Sequence, residues 1–182
     1  MPKYKNIKLR KADLTELKSI YDLMFTDEAW VEFNAPYFPY SRPTLMEFEQ
    51  KFFKRLMAGK TALLIEFDGQ AVGSVSYYWE DENTRWLEIG IAIYDQRQWS
   101  QGIGRKALPL WIDHLFATLE IERVGLTTWS GNPRMMACAH AIGMQLEAQI
   151  RKVRYYKGIY YDSIKLGVIR EQWSQNKAAQ NQ

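Results

Sequence analysis

The sequence has a single cysteine among its 182 residues and no long apolar run. One cysteine, Cys138, cannot form a disulfide within the chain, and such scarcity of thiols is typical of the reducing cytoplasm. Hydrophobic residues make up 47% of the chain, but none of their runs approaches the ~20 residues that a membrane-spanning helix needs. The first residues, Met1–Lys5, lack the apolar centre of a signal peptide. We therefore expect a cytoplasmic protein with no membrane partner.

Strong charge of one sign is also missing. The formal net charge is +3, and the basic residues are dispersed, which disfavours nucleic acid as a partner. The densest basic stretch, Arg151 to Lys157, is too short to change that interpretation. No repeat or interior low-complexity linker interrupts the chain, and its length suits one domain with a substantial core. We expect a single domain over residues 1–182, in which the polar Ser174–Gln182 segment forms a frayed tail.

Strand and helix patterns alternate along the chain, which predicts an α/β fold. Helices are expected to begin with capping boxes at Asp13 and Thr44, and Asp68-Gly69 predicts a hairpin turn. Because several strands are connected through helices, part of the sheet should be parallel. The predicted strands are 5–9, 61–67, 71–79, 86–93, 123–129 and a closing hairpin around 155–166, and the later helices are 106–119 and 133–142.

The most informative segment is Gln101-Gly102-Ile103-Gly104-Arg105, between the apolar strand 86–93 and the helix 106–119. A glycine-rich junction from strand to helix gathers unpaired backbone N–H groups at the positive end of a helix dipole, where a phosphate binds. Arg105 can add a formal charge. A dinucleotide motif would need glycine where Ala107 stands, and a Walker loop would need Gly-Lys-Ser/Thr. An ordinary glycine-rich helix start is the alternative.

Three segments resemble a known family in their order. Trp99–Gly104 resembles motif A of the GNAT acetyltransferase superfamily, written Gln/Arg-x-x-Gly-x-Gly/Ala. Trp99 stands where Gln or Arg is usual, a departure also common in the ribosomal-protein N-acetyltransferase branch. Asn132–Gly143 is similar to the element Asn-x-x-Ser-(x)7-Gly-Phe, with an N-cap, a proline at the first helical position and a C-terminal glycine. Tyr155–Leu166 resembles the closing hairpin of the ribosomal-protein and polyamine acetyltransferase branches. The resemblance covers about residues 5–175.

The resemblance implies an α/β GNAT fold, with a mixed, splayed sheet flanked by helices and CoA between strands 86–93 and 123–129. It implies acetyl-CoA as cofactor, no metal, and direct attack of a neutral amine on the thioester. The acceptor would be a protein N-terminus, a polyamine or another small amine, and the resemblance leaves room for a homodimer. The implied cofactor-binding residues are Ile91, Ile93, Trp99, Gln101, Gly102, Ile103, Gly104, Arg105 and Asn132.

How much the reaction needs a general base depends on the pKa of the acceptor amine. A lysine-like amine with a pKa near ~10.4 requires roughly 4.6 kcal/mol to become neutral at pH 7, whereas an α-amine requires only ~1–1.4 kcal/mol. Glu88 is the candidate base, because it lies on the opposite strand face from Leu87 and Ile89 and precedes Gly102 by fourteen residues. Many GNAT enzymes carry a catalytic glutamate at this spacing. The alternative is a surface carboxylate on a half-exposed strand.

The usual proton donors are missing from the second motif. Ala139 stands where the family often has a tyrosine, and Met135 where it sometimes has a serine. His140 is the nearest replacement, although a histidine on a helix face is more often structural. A thiolate whose thiol pKa is near ~8.5 leaves without a strong acid. The missing tyrosine keeps open a second interpretation, a catalytically silent acyl-CoA-binding module.

The segment 26–37 mixes acids with aromatics, which suits a cation. Glu28 and Glu32 stand four residues apart, so a helical turn would place them on one face beside Trp30 and Phe33. We predict that these four residues bind the acceptor amine. The alternative is that the aromatics pack on the core as a lid.

Overall fold

The computed structural model describes residues 6–180 as seven strands and six α-helices. The strands are β1 (Ile7–Arg10), β2 (Ala62–Phe67), β3 (Gln70–Asp81), β4 (Trp86–Ile93), β5 (Arg123–Trp129), β6 (Gln145–Tyr156) and β7 (Ile159–Ile169). The α-helices are α1 (Leu17–Phe25), α2 (Leu45–Phe48), α3 (Lys54–Ala58), α4 (Ile103–Thr118), α5 (Pro133–Ala141) and α6 (Arg170–Gln180). Short 3₁₀ helices span Leu14–Glu16, Ala29–Phe33 and Gln96–Gln98, and one π-helical turn, Glu49–Phe53, joins α2 to α3.

The strands form one mixed sheet in the order β1-β2-β3-β4-β5-β7-β6. β4 and β5 run parallel, with Glu88 opposite Gly125, because α4 carries the chain back between them. The β1–β2, β2–β3, β5–β7 and β6–β7 pairs are antiparallel. The predicted α/β fold with a partly parallel sheet is confirmed.

The chain divides into two compact units that interleave in sequence. The first unit continues to Ser76 and adds Ile91–Leu110, and the second comprises Tyr77–Gly90 and the chain from Trp111 onward. Aromatic and aliphatic side chains fill the core of the first unit, among them Ile20, Phe25, Phe48, Phe53, Leu64 and Tyr94. The second unit buries side chains of α4, β4, β5 and β7, among them Leu87, Trp111, Ile112, Leu126 and Leu166.

Local sequence signals determine where several elements begin and end. Asp13 and Thr44 both form complete capping boxes, with Glu16 and Glu47 as their partners, as predicted. Asp68 and Gly69 both have positive φ, as the two central residues of a type I′ hairpin turn require.

Two predicted boundaries are wrong and one is shifted. α4 begins at Ile103 rather than Lys106, so the second glycine of the motif lies inside the helix. The predicted frayed tail is helical as far as Gln180, because the buried Trp173 donates from its indole to Asp113 Oδ1 (2.7 Å), which anchors α6. β1 spans Ile7–Arg10 instead of residues 5–9. Residues 1–5, 181 and 182 lie outside the described residues.

Among residues 6–180, none of the helices is long and apolar enough to cross a membrane.

Candidate active site

The glycine loop of the first unit opens at the start of α4. Ser100 and Gly102 both adopt left-handed φ angles, 60° and 78°, on either side of Gln101. A methyl group added at Gly102 would meet no atom within 4 Å, so the loop leaves open space there. The first four N–H groups of a helix have no acceptor within the helix, and those of α4 belong to Ile103 and the three residues after it. Backbone donors at a helix start and open space beside Gly102 are the features that a phosphate site uses.

Trp99 attaches this loop to the end of β4. Its indole N–H donates to the main-chain carbonyl of Ile93 (2.8 Å). Gln101 folds back in the same way, since its side-chain amide donates to the carbonyl of Arg97 (3.1 Å). The side chains of these two predicted cofactor residues therefore shape the loop. Ile91 and Ile93 are half-buried on the strand that precedes them.

The predicted acceptor segment differs from its expected geometry. Ala29–Phe33 is a 3₁₀ helix, in which residues three apart share a face and residues four apart are rotated by about 120°. The prediction that Glu28 and Glu32 lie on one face is therefore wrong. Trp30 and Phe33 are the pair that share a face.

Those two aromatics contact the end of β4 and the glycine loop. Trp30 packs edge-on against Tyr94 (ring centroids 5.4 Å apart), and Phe33 packs edge-on against Trp99 (5.5 Å). The Trp30 indole also donates to the carbonyl of Met24 (2.7 Å). This packing matches the alternative in which the aromatics form a lid, and it still brings the segment next to the loop.

Glu88 lies in the second unit and is completely buried, with 0% of its side chain exposed. The alternative, a surface carboxylate on a half-exposed strand, is therefore wrong. Thr127 donates its hydroxyl to Oε2 (2.7 Å), while both terminal nitrogens of Arg123 and the Trp86 indole approach Oε1 at 3.3–3.4 Å. A buried carboxylate must be hydrogen-bonded or paired, and Glu88 is both.

Arg123 bridges two carboxylates. Its Nε lies 3.0 Å from both carboxylate oxygens of Glu147, and its Nη2 also donates to that group. Burial disfavours the charge, but the hydrogen bonds to Glu147 and the negative charges of Glu147 and Glu88 raise the pKa of the Arg123 guanidinium above its ordinary value. Arg123 is thus a permanent cation that covers the buried Glu88.

Two glycines make room for this charged layer. A side chain at Gly125, opposite Glu88 in the parallel register, would collide with the Arg123 guanidinium. A side chain at Gly167 would likewise collide with the Glu147 carboxylate. Both strands therefore leave a bare backbone surface on which the charged side chains lie.

A groove of about 650 Å³ runs along the same face. Trp86, Arg123, Glu147 and Lys165 contribute to its walls, and Trp86 is 43% exposed. Arg123 both lines the groove and contacts Glu88, so its side chain links the groove wall to the buried carboxylate.

The residues predicted on α5 are not part of this cluster. Asn132 caps the helix, since its side-chain oxygen accepts from the N–H of Met135 (3.1 Å). His140 is exposed in the last turn, where its main-chain carbonyl accepts from the N–H of Gly143 (3.0 Å). The role of His140 as an acid and the contact of Asn132 with a cofactor stay predictions. Within residues 6–180, no group of three or more His, Cys, Asp or Glu side chains could hold a metal ion.

The partners of Glu88 were missed by the sequence reasoning. Arg123, Thr127 and Lys165 are far from Glu88 in sequence and become its neighbours only through strand pairing. The spacing of Arg123, Gly125 and Thr127 on alternate positions of β5 was the available signal, because residues i, i+2 and i+4 share a face.

Comparison with known proteins identifies relatives of the chain. The model of the acetyltransferase (GNAT) domain matches residues 6–145. The SPbeta prophage-derived, uncharacterized N-acetyltransferase YokL of Bacillus subtilis (strain 168) is 25% identical over 114 residues, 63% of this chain and 64% of YokL. YdaF of the same organism, provisionally named a ribosomal N-acetyltransferase, is 28% identical over 111 residues, 61% of this chain and 60% of YdaF. The chain thus spans less than two thirds of the length of these curated relatives.

The fold is also found among solved structures. The spermidine N-acetyltransferase from Vibrio cholerae, solved with CoA and spermine, superposes with a TM-score of 0.75 at 16% identity. The superposition covers 92% of this chain and 98% of that protein. At this identity the match establishes the GNAT fold.

We predict that Arg123→Met destabilises the protein by about 3 kcal/mol, because it leaves the buried carboxylate of Glu88 without its cation. The double variant Arg123→Met/Glu88→Gln should be more stable than Arg123→Met alone, since the uncompensated charge is gone. Urea unfolding at pH 7 measures both. The control is Arg85→Met, whose partner Glu120 is 88% exposed, and which should cost less than about 1 kcal/mol. Equal stability of the double variant and Arg123→Met would contradict this account of Glu88.

Proposed function

The chain belongs to the GNAT acetyltransferase family, and we propose that it is an acetyl-CoA-dependent N-acetyltransferase acting on a primary amine. One observation carries the proposal. A single strand, β4, bears the buried carboxylate of Glu88, and the open glycine loop at the start of α4 follows it after the short 3₁₀ helix Gln96–Gln98. This order along the chain, first a base and then a phosphate-binding loop, suits a cofactor whose reactive end is remote from its phosphates.

The glycine loop fits the pyrophosphate of acetyl-CoA. The N–H groups between Gln101 and Arg105 would hold the phosphates, and the exposed Arg105 would add a formal charge. The main chain of Ile91 and Ile93 would pair with the pantetheine arm. The Ile93 carbonyl already accepts from Trp99, so its second lone pair would be used. Acetyl-CoA supplies the activated acetyl group when it is bound.

Glu88 would accept the proton that the acceptor amine loses as it becomes nucleophilic. An acceptor ammonium arriving through the groove would replace the Arg123 guanidinium beside Oε1, one cation for another. Arg123 could then remain on Glu147, its shorter contact. During this exchange Glu88 and Glu147 would each keep a positively charged partner.

The acceptor class rests on the chemistry of the site and on the relatives' names. YdaF is named for ribosomal proteins and the Vibrio cholerae enzyme for spermidine, so a protein N-terminus and a polyamine are the two classes to test first. A catalytically silent acyl-CoA-binding module is the second candidate, favoured by the buried Ala139 at the position where the family often has tyrosine. We also propose a single cytoplasmic GNAT domain. Its assembly as a homodimer is a matter for solution measurements.

We expect Gly104→Glu to abolish acetyl-CoA binding measured by calorimetry, because a carboxylate in the first turn of α4 would repel and obstruct the pyrophosphate. Ala117→Glu is the matched control, since it adds the same charge at an exposed position near the other end of the helix. The control should bind normally. Unchanged affinity in Gly104→Glu would move the cofactor site elsewhere.

The decisive experiment on function follows thiol release from acetyl-CoA with a panel of amines: peptides with free N-termini, polyamines and aminoglycosides. An active enzyme releases thiol with at least one of them, whereas a silent module binds acetyl-CoA and releases none. With the best amine, Glu88→Gln should lower turnover strongly at neutral pH and recover partly as pH rises, because the free amine becomes abundant. A variant profile that overlays the wild type would make Glu88 structural.

From its acids and aromatics, we also propose the segment Glu28–Phe33 as a binding segment for the acceptor amine. We expect Glu28→Gln/Glu32→Gln to raise the acceptor KM several-fold and to flatten the salt dependence of kcat/KM, while the KM for acetyl-CoA stays constant. Glu171→Gln on α6, an exposed carboxylate, is the control. An acceptor KM that does not move would leave Glu28 and Glu32 as solvating charges.

A further inference from the structure

We infer that Thr127 and Lys165 are positioning residues that commit Oε2 of Glu88 to the protein and leave Oε1 as the oxygen that takes the acceptor's proton. This inference rests on the proposed role of Glu88 as the base. It assigns a function to two side chains on β5 and β7. Lys165 lies beyond residue 145, where the match to the family model ends.

The three side chains form a chain of hydrogen bonds with one allowed direction. Thr127 Oγ1 lies 2.7 Å from Glu88 Oε2 and 3.0 Å from Lys165 Nζ. An ammonium can only donate, so Lys165 donates to a lone pair of the threonine oxygen. A hydroxyl has one hydrogen, and that hydrogen is therefore directed to Oε2.

Strand pairing and an aromatic ring keep this chain in place. Thr127 and Lys165 are directly opposite each other in the antiparallel β5–β7 register. The Lys165 ammonium lies 5.7 Å from the centre of the Trp86 ring, a cation–π contact, and the Trp86 indole donates to Oε1 of Glu88 at 3.3 Å. Trp86, Glu88, Thr127 and Lys165 thus form a closed ring of contacts, which fixes the orientation of the carboxylate.

The two carboxylate oxygens differ in how tightly they are held. Oε2 has the short bond from Thr127, whereas the three N–H groups near Oε1 lie at 3.3–3.4 Å, longer than the usual 2.9–3.0 Å. Two of those three belong to Arg123, which has its closer partner in Glu147. Oε1 is therefore the oxygen from which a protein donor is most easily displaced.

The proton balance at Oε1 is simple. The N–H bond of the acceptor ammonium breaks, an O–H bond forms at Oε1, and the electron pair stays on nitrogen as the nucleophile. Glu88 then returns the proton to water before the next turnover. The Thr127 hydroxyl, supported by Lys165, stays on Oε2 throughout, so the proton is received and released at Oε1.

The test measures kcat/KM for one fixed amine against pH, so that the titration of the amine is the same in every variant. Thr127→Val replaces the hydroxyl with a methyl group and should lower kcat/KM along the acid limb of the profile, because Oε2 of Glu88 loses its short hydrogen bond. Thr127→Ser should restore the wild-type limb. Lys165→Met should lower the acid limb likewise, because Thr127 loses its donor, and Lys177→Met, on α6, should leave the limb in place.

The outcomes separate this inference from the proposed function. If Glu88→Gln leaves the profile unchanged, the base itself is wrongly assigned. Two results would overturn the positioning role while Glu88→Gln still has its expected effect. In the first, Thr127→Val keeps the wild-type acid limb. In the second, Thr127→Ser changes the acid limb as much as Thr127→Val does. Circular dichroism checks that each variant folds. If Thr127→Val does not fold, the comparison of Lys165→Met with Lys177→Met replaces it. Identical acid limbs of the kcat/KM profile in these two variants would overturn the inference.

Discussion

The structure of the second unit depends on one buried carboxylate. An ionised carboxylate removed from water is stable only if it is paired and hydrogen-bonded, and Glu88 meets that condition through side chains from β4 and β5. The side chains that stabilise Glu88 need partners of their own. Arg123 also pairs with Glu147, and Thr127 also accepts a hydrogen bond from Lys165. The charged side chains on this face are thus all connected, directly or through one partner, to a single glutamate on a central strand.

The first unit solves a different problem, the placement of a loop with few side chains of its own. Glycines give the loop its backbone shape, but they pack against nothing and cannot hold it in position. Aromatic residues from neighbouring segments supply the anchoring: Trp99 bonds to Ile93, and Phe33 packs on Trp99. The glycine backbone at the proposed phosphate site is therefore held in place by aromatic side chains next to it.

Periodicity, caps and turns were enough to predict most elements, because these signals act over a few residues. β4 and β5 have the predicted bounds, and Asn132 caps α5 as expected.

Prediction from the sequence failed where a contact between residues distant in sequence decides the structure. The tail became α6 because Trp173 reaches Asp113, sixty residues away. Glu88 was identified from its strand face and spacing, whereas Arg123, Thr127 and Lys165 were not, since strand order and register bring them together. The choice of a 3₁₀ helix over an α-helix at Ala29–Phe33, with Trp30 and Phe33 packed on one side, was equally invisible in the spacing of Glu28 and Glu32.

The bare backbone at Gly125 has a consequence for how sequence variation in this protein is interpreted. Its hydrogen atom stands where a methyl group would push the guanidinium of Arg123 aside. The obstacle is the far end of a flexible side chain, so a change to alanine would move the guanidinium and rearrange the charges over Glu88. A mutational scan scored by catalysis would mark Gly125 as sensitive. A residue with no functional group would thereby carry an evolutionary signature that usually belongs to catalytic side chains.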